Sequence, residues 1–179
     1  MKTLNTKLKN TTTRYIIIAL TFIFLIQVSY AQKKLKEYIF PCSAMLLSGM
    51  LNGTNESISF HYYNGFKRFF PSANDQYWNP AISWTNKYKN GNPNSGPKFL
   101  GSTSALVCFT DAYHGLRTGQ NIINTFTISL YFNRIRCSPV KVTLKRILID
   151  ALLLSAVRNI GFYTTYSFIF NQGSKGPLL

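Results

Sequence analysis

Apolar residues recur at three- and four-residue intervals from 38 to 70, where Leu47, Met50, Leu51, Ile58, Tyr62, Phe66 and Phe69 fall on one stripe. The spacing predicts helix, broken or kinked near Pro41 and Gly53, and reads as an amphipathic helix pair more than a membrane span. Pro71 ends it. Residues 71–103 are crowded with proline, asparagine, glycine and serine, which break both the helical and the two-residue period. They predict a loop too long to be a neutral connector. Helical spacing returns over 104–132, stops at a basic stretch with a break at Pro139, and resumes over 147–170. The predicted fold class is mainly α: a helical bundle with a long Pro/Asn-rich aromatic loop and a C-terminal helical hairpin in the membrane.

The run 147–170 is the best span in this region, and two charges lie inside it, Asp150 and Arg158. Each costs about 2.5–3.5 kcal/mol at a helix centre. Asp150 sits near one end and can pair with Arg146 one turn back. Arg158 is central and is expected to face Asp111 or Glu56. Together Arg117, Asp150 and Arg158 read as a structural polar network that specifies how the helices pack.

Residues 1–31 have the form of a secretory signal or a retained N-terminal anchor. Lys2, Lys7, Lys9 and Arg14 precede an apolar run from 15 to 28, and small residues stand at Ser29 and Ala31, the expected cleavage site. Residues 32–179 are then one helical domain. Its localisation is expected at a bacterial cell membrane with 32–103 outside the cytoplasm; the alternative is an exported soluble protein bound at the membrane surface. Loop charge agrees with the membrane placement. The stretch 134–146 holds Arg134, Arg136, Lys141, Lys145 and Arg146, whereas the longer 71–103 holds Lys87, Lys89 and Lys98, so the positive-inside rule sets 134–146 in the cytoplasm.

Composition narrows the partners. The chain of 179 residues carries 20 Lys and Arg against 5 acids, a formal charge of +15, so most of its cations lack an internal carboxylate. Membrane lipid is the expected partner, with a protein partner in the envelope beside it. Nucleic acid is excluded, because export opposes it and no recognised binding motif accompanies the charge. Cys42, Cys108 and Cys137 show no CxxC spacing and read as small buried hydrophobes rather than a disulfide framework or zinc site.

Asp111 and His114 are three residues apart, about 60° on a helix, and carry the strongest catalytic signal. An Asp beside a His fixes its tautomer and raises its basicity. Glu56 and His61 are separated by about 140° on a helix and so cannot form one local site unless the helix breaks between them. Across a bundle, Glu56, His61, Asp111 and His114 would make a divalent-metal sphere, which gives the alternative function: a small membrane-embedded metal-dependent hydrolase. No GxSxG elbow, P-loop or GxGxxG is present. Binding is assigned to Trp78, Trp84, Tyr88 and Lys87, aromatic rings interleaved with cations that suit a membrane interface, a sugar platform or a lid.

The stretch Asn74-Asp75-Gln76-Tyr77-Trp78-Asn79-Pro80, with Ser83-Trp84 and Asn86-Lys87-Tyr88-Lys89-Asn90-Gly91, resembles a pattern in an uncharacterised family of small bacterial membrane proteins. Ser48-Gly49, Asn52-Gly53 with Glu56, Gly101-Ser102-Thr103 and Asp111-Ala112-Tyr113-His114 join it, so the resemblance covers roughly 44–118. It implies one membrane-associated domain and no particular activity, and no cofactor is assigned by it. The expected function is therefore an exported, membrane-associated envelope interaction or structural protein without catalysis.

Overall fold

The computed structural model describes residues 37–137 and 142–170. The signal or anchor expected over 1–31 lies outside them. The chain divides into two units, Met1–Phe40 and Pro41–Leu179, and the account below concerns the second. All regular structure among the described residues is helical, with one isolated bridge between Tyr88 and Pro97. Helix α1 spans 37–60, α2 is Lys67–Phe69, α3 Asp75–Trp78, α4 Pro80–Ser83, α5 Ala112–Arg136 and α6 Leu144–Tyr163, which continues as a wider π-helical turn through Thr164–Phe170.

The mainly α prediction holds, and the boundaries move for local reasons. Helix α1 runs through Pro41 and Gly53 without the expected break. The interruption comes instead at His61, whose backbone leaves the helical region (φ −134°, ψ 35°) before a π-helical turn over Tyr62–Phe66. The supposed loop 71–103 is built from five short helical turns, three of them opened by an asparagine side chain that accepts a backbone N–H. Asn74 accepts from Gln76 at 3.0 Å, Asn79 from Ala81 at 3.1 Å and Asn92 from Asn94 at 2.9 Å. Pro80 and Pro93 occupy the first helical position, where a missing N–H costs nothing. The signals that read as helix breakers are helix starters.

Helix α5 begins eight residues later than the periodicity implied, because Asp111 is fully extended (φ −157°) and caps it. Helix α6 begins three residues earlier than expected, at a cap on Thr143. It is the one described helix long and apolar enough to cross a membrane, and only 11% of its most apolar window is buried within the protein.

Three long helices pack by small residues. A Cβ on Gly49 would lie 1.9 Å from the Arg158 carbonyl oxygen, one on Gly161 would lie 2.2 Å from that of Leu46, and one on Gly53 would lie 2.5 Å from that of Phe162. The α1 and α6 backbones therefore touch directly. The Thr165 hydroxyl donates to the Met50 carbonyl at 3.0 Å across the same seam. Contact positions rise together, Leu46 with Gly161 and Met50 with Thr165, so α1 and α6 run parallel. On its other side α1 meets α5 antiparallel: Ser48 donates to Asn124 Oδ1 at 2.6 Å, and Leu51 reaches Gly119.

The fully buried set is small and largely polar, with Ser48, Asn55, Ser57, Gln120, Thr127, Asp150 and Thr165 inside, while Leu47, Ile122, Ile128, Leu152 and Ile160 are exposed. The apolar core proper, Ile58, Tyr62, Phe66, Ala112 and Phe170, sits at one end of the bundle, under the 71–111 segment. None of the three cysteines takes the buried position expected of it: Cys42 and Cys108 are half-buried and Cys137 is exposed.

The glycine seam makes a testable demand. Gly161→Ala must force α1 and α6 apart against backbone atoms and is expected to lower stability by about 1–3 kcal/mol. Gly119→Ala adds a methyl at an ordinary 3.6 Å contact. It is expected to be neutral or to gain up to about 1 kcal/mol of helix propensity. Thermal unfolding of the two variants in detergent checks the contrast.

Candidate functional site

The bundle end that carries the apolar core also holds a concavity. Thr54 of α1, Phe66 and Phe70, Ser72 and Ala73, Trp78 of α3, Leu116 of α5 and Phe170 line a half-open cavity of about 380 Å³. Aromatic rings form its wall. Phe66 stacks on Trp78 with centroids 4.9 Å apart, and Phe170 stands 5.5 Å from Phe66. Two lining residues carry hydroxyls, Thr54 and Ser72, and the Thr54 hydroxyl donates to the Met50 carbonyl at 2.9 Å. Such a wall offers chiefly dispersion and apolar burial.

Beside it, Asp75 is held by two donors. Tyr62 donates to Asp75 Oδ1 at 2.7 Å, and Lys67 pairs with the same oxygen while also reaching the Ala73 carbonyl. The Lys67 and Tyr62 hydrogen bonds hold the Asp75 carboxyl below its usual range. Burial, with the Asp75 carboxylate beside it, pushes the Tyr62 phenol well above its own. The cluster ties the π-helical turn to α3. Its residues were absent from the sequence-derived site, although Tyr62 and Asp75 each stood in a stretch singled out for other reasons.

The expected catalytic pair does meet. His114 Nδ1 lies 2.8 Å from Asp111 Oδ2 and 2.9 Å from Oδ1, and Thr110 donates to Oδ2 at 2.8 Å. A carboxylate only accepts, so Nδ1 carries a proton. Asp111 also accepts the His114 backbone N–H at 2.9 Å, which makes it the N-cap of the 25-residue helix α5, and it is 1% exposed. Cap and imidazole contact share one carboxylate.

The other assigned residues disperse. His61 Nε2 lies 3.1 Å from the Tyr166 hydroxyl, linking α1 to the end of α6. Of the expected metal sphere the structure brings together Asp111 and His114 but joins neither Glu56 nor His61 to them, and among the described residues no three His, Cys, Asp or Glu side chains stand close enough to hold an ion.

The polar network also resolves differently. Arg117 donates to Tyr113 at 2.8 Å, and Asp150 accepts from Tyr131 at 2.9 Å with Arg146 4.0 Å away. Arg158 forms no ion pair with Asp111 or Glu56: its backbone packs at Gly49, level with Ser48 and Asn124, thirteen residues along α5 from Asp111. Of the binding residues, Trp78 lines the cavity, whereas Trp84 is exposed and meets Tyr88 edge-on at 6.3 Å, with Lys87 Nζ 5.5 Å over the Tyr88 ring. One aromatic motif thus serves two places.

Two measurements probe these contacts. Asp111→Ala strands three donors and is expected to cost about 2 kcal/mol in thermal unfolding, whereas Asp111→Asn keeps a capping oxygen and should cost less than half as much. For Asp75, the folded carboxyl titrates below the ordinary aspartate value of about 3.9, so its stabilisation is complete above that pH and lost as pH falls through the lower folded value. The melting temperature should therefore drop below about pH 4, and Asp75→Asn should flatten that drop while lowering stability at neutral pH.

No family model, no curated protein and no solved structure matches this chain.

Proposed function

We propose that this chain is a membrane-associated interaction protein without chemistry of its own, with α6 crossing the bilayer and the segment 32–103 outside the cytoplasm. The observation that carries it is the inverted distribution of side chains. In water a helix bundle hides its large apolar residues. Here Leu148, Ile149, Leu152, Leu153 and Ile160 of α6 are exposed while Asp150, Gly161 and Thr165 are buried. That is the pattern expected where lipid is the solvent and small residues let helices approach.

The absence of a catalytic role is supported by how the titratable groups are spent. Asp111 and His114 close a helix cap, Asp75 with Lys67 and Tyr62 staples the π-helical turn to α3, and Asp150 is tied to Tyr131. The exported segment then interacts through shape and apolar surface, with membrane lipid and with a protein partner in the envelope. Its excess of Lys and Arg around 134–146 fits a cytoplasmic face.

Carbonate extraction of isolated membranes tests the reading: the protein should remain wholly in the pellet. Recovery in the alkaline supernatant would overturn it in favour of an exported soluble domain resting on lipid.

A further inference from the structure

We propose that α1 from residue 41 onward and α5 lie in the hydrocarbon layer alongside α6, with Leu47 and Ile122 against lipid acyl chains, although neither helix is apolar enough to be recognised as a span. The inference rests on α6 crossing the bilayer and extends that reading from one helix to three.

Register is the first support. Gly161 packs on the backbone of Leu46 and Met50, and Ser48 is bonded to Asn124. Leu47 on α1, Ile122 on α5 and Ile160 on α6 therefore stand within about one helical turn of the same level. All three are exposed, by 48%, 63% and 60%. Because the α1 and α6 backbones touch, no lipid or water layer separates them, and a bilayer that surrounds Ile160 must also meet Leu47.

Charge is the second support. No Asp, Glu, Lys, Arg or His occurs from 41 to 55 or from 118 to 133, in a chain where cations are otherwise abundant. Several of the polar groups that depress the hydropathy of these helices are turned inward or bonded within their own helix. Ser48 meets Asn124, Ser57 donates to the Gly53 carbonyl at 2.7 Å, and Gln120 and Thr127 are buried, the Thr127 hydroxyl without a hydrogen-bond partner among the described residues. Hydrogen-bonded Ser, Thr and Asn between closely packed helices are what a membrane interior tolerates. Asn121, Thr125 and Ser129 of α5 face outward, so Ile122, beside Asn121, is the most demanding position to test.

The placement changes the topology drawn from charge alone. Since α1 runs parallel to α6, residue 41 lies on the side of the bundle toward the start of α6, level with about residues 152–156 by the Gly49–Arg158 and Leu46–Gly161 contacts. The segment beyond the opposite membrane face is then 61–111 rather than 32–103.

Full-length protein with Cys42, Cys108 and Cys137 changed to serine, reconstituted in phospholipid vesicles, carries a spin label at Leu47→Cys, Ile122→Cys or Ile160→Cys. Leu100→Cys, 92% exposed on the 61–111 segment, is the aqueous reference, and Ile128→Cys repeats the α5 measurement should Ile122→Cys misfold. Collisions with oxygen, which enters the bilayer, are compared with those of a water-soluble nickel chelate. Oxygen should dominate at Leu47, Ile122 and Ile160, and the chelate at Leu100. Dominance of the chelate at Ile160 would overturn the span of α6 and this inference with it. Oxygen at Ile160 but the chelate at Leu47 or Ile122 would overturn the inference alone. Exclusion of both colliders at Leu47 or Ile122 would also overturn it, showing protein, such as a second copy of the chain, where lipid is proposed.

Discussion

Direct backbone contact between α1 and α6 is the constraint on which the rest of the described structure depends. Gly49, Gly53 and Gly161 leave no room for a single added carbon, and the Thr165 hydroxyl bridges the same seam to the Met50 carbonyl. Close approach multiplies weak dispersion contacts along several turns and makes the register all but discrete, since sliding by one residue would drive a side chain into a carbonyl. It is a packing solution that does not require large side chains inside. The large side chains can therefore point outward.

From that register the cavity follows. The parallel helices bring Phe170 of α6 to Phe66 beyond the break at His61, and Gly65 lets the Phe170 carbonyl approach. Helix α5 arrives antiparallel with Leu116 at the same height, and the 71–111 segment folds over the end with Trp78 as its inner contact. Asp75 and Asp111 fix the two ends of that segment, one through Lys67 and Tyr62, the other as the cap of α5. Both acids are thus used at corners of the fold, where loss of a carboxylate would release a change of chain direction.

Much of this was legible one residue at a time. Asn79-Pro80 and Asn92-Pro93 state helix starts by local chemistry, an amide oxygen for the free N–H and a ring that needs none. Asp111 with His114 three residues on states a cap in the same way, and the same spacing brings the two side chains into contact. What misled was composition over a window. Density of proline and asparagine reads as loop, while the same residues in order initiate short turns. Arg158 shows the opposite failure: pairing a central charge with Asp111 required knowing the register of the helices, which sets Arg158 at Gly49 and level with Asn124, far from the head of α5.

The sequence alone determined that this chain is helical, where its last helix is apolar enough to cross a bilayer, and which asparagines and aspartates begin its turns, because these depend on periods and contacts within a few residues. Only the tertiary structure decided which face of each helix meets protein. A glycine at 49 and another at 161 carry no mutual signal until the backbones are brought together. The two tryptophans of one motif likewise look alike until Trp78 is set against Phe66 and Trp84 is left at the surface. Amphipathic spacing marks two faces without labelling them. Whether the polar face turns outward to water or inward to another helix is settled by long-range packing, and here it turns inward along α1.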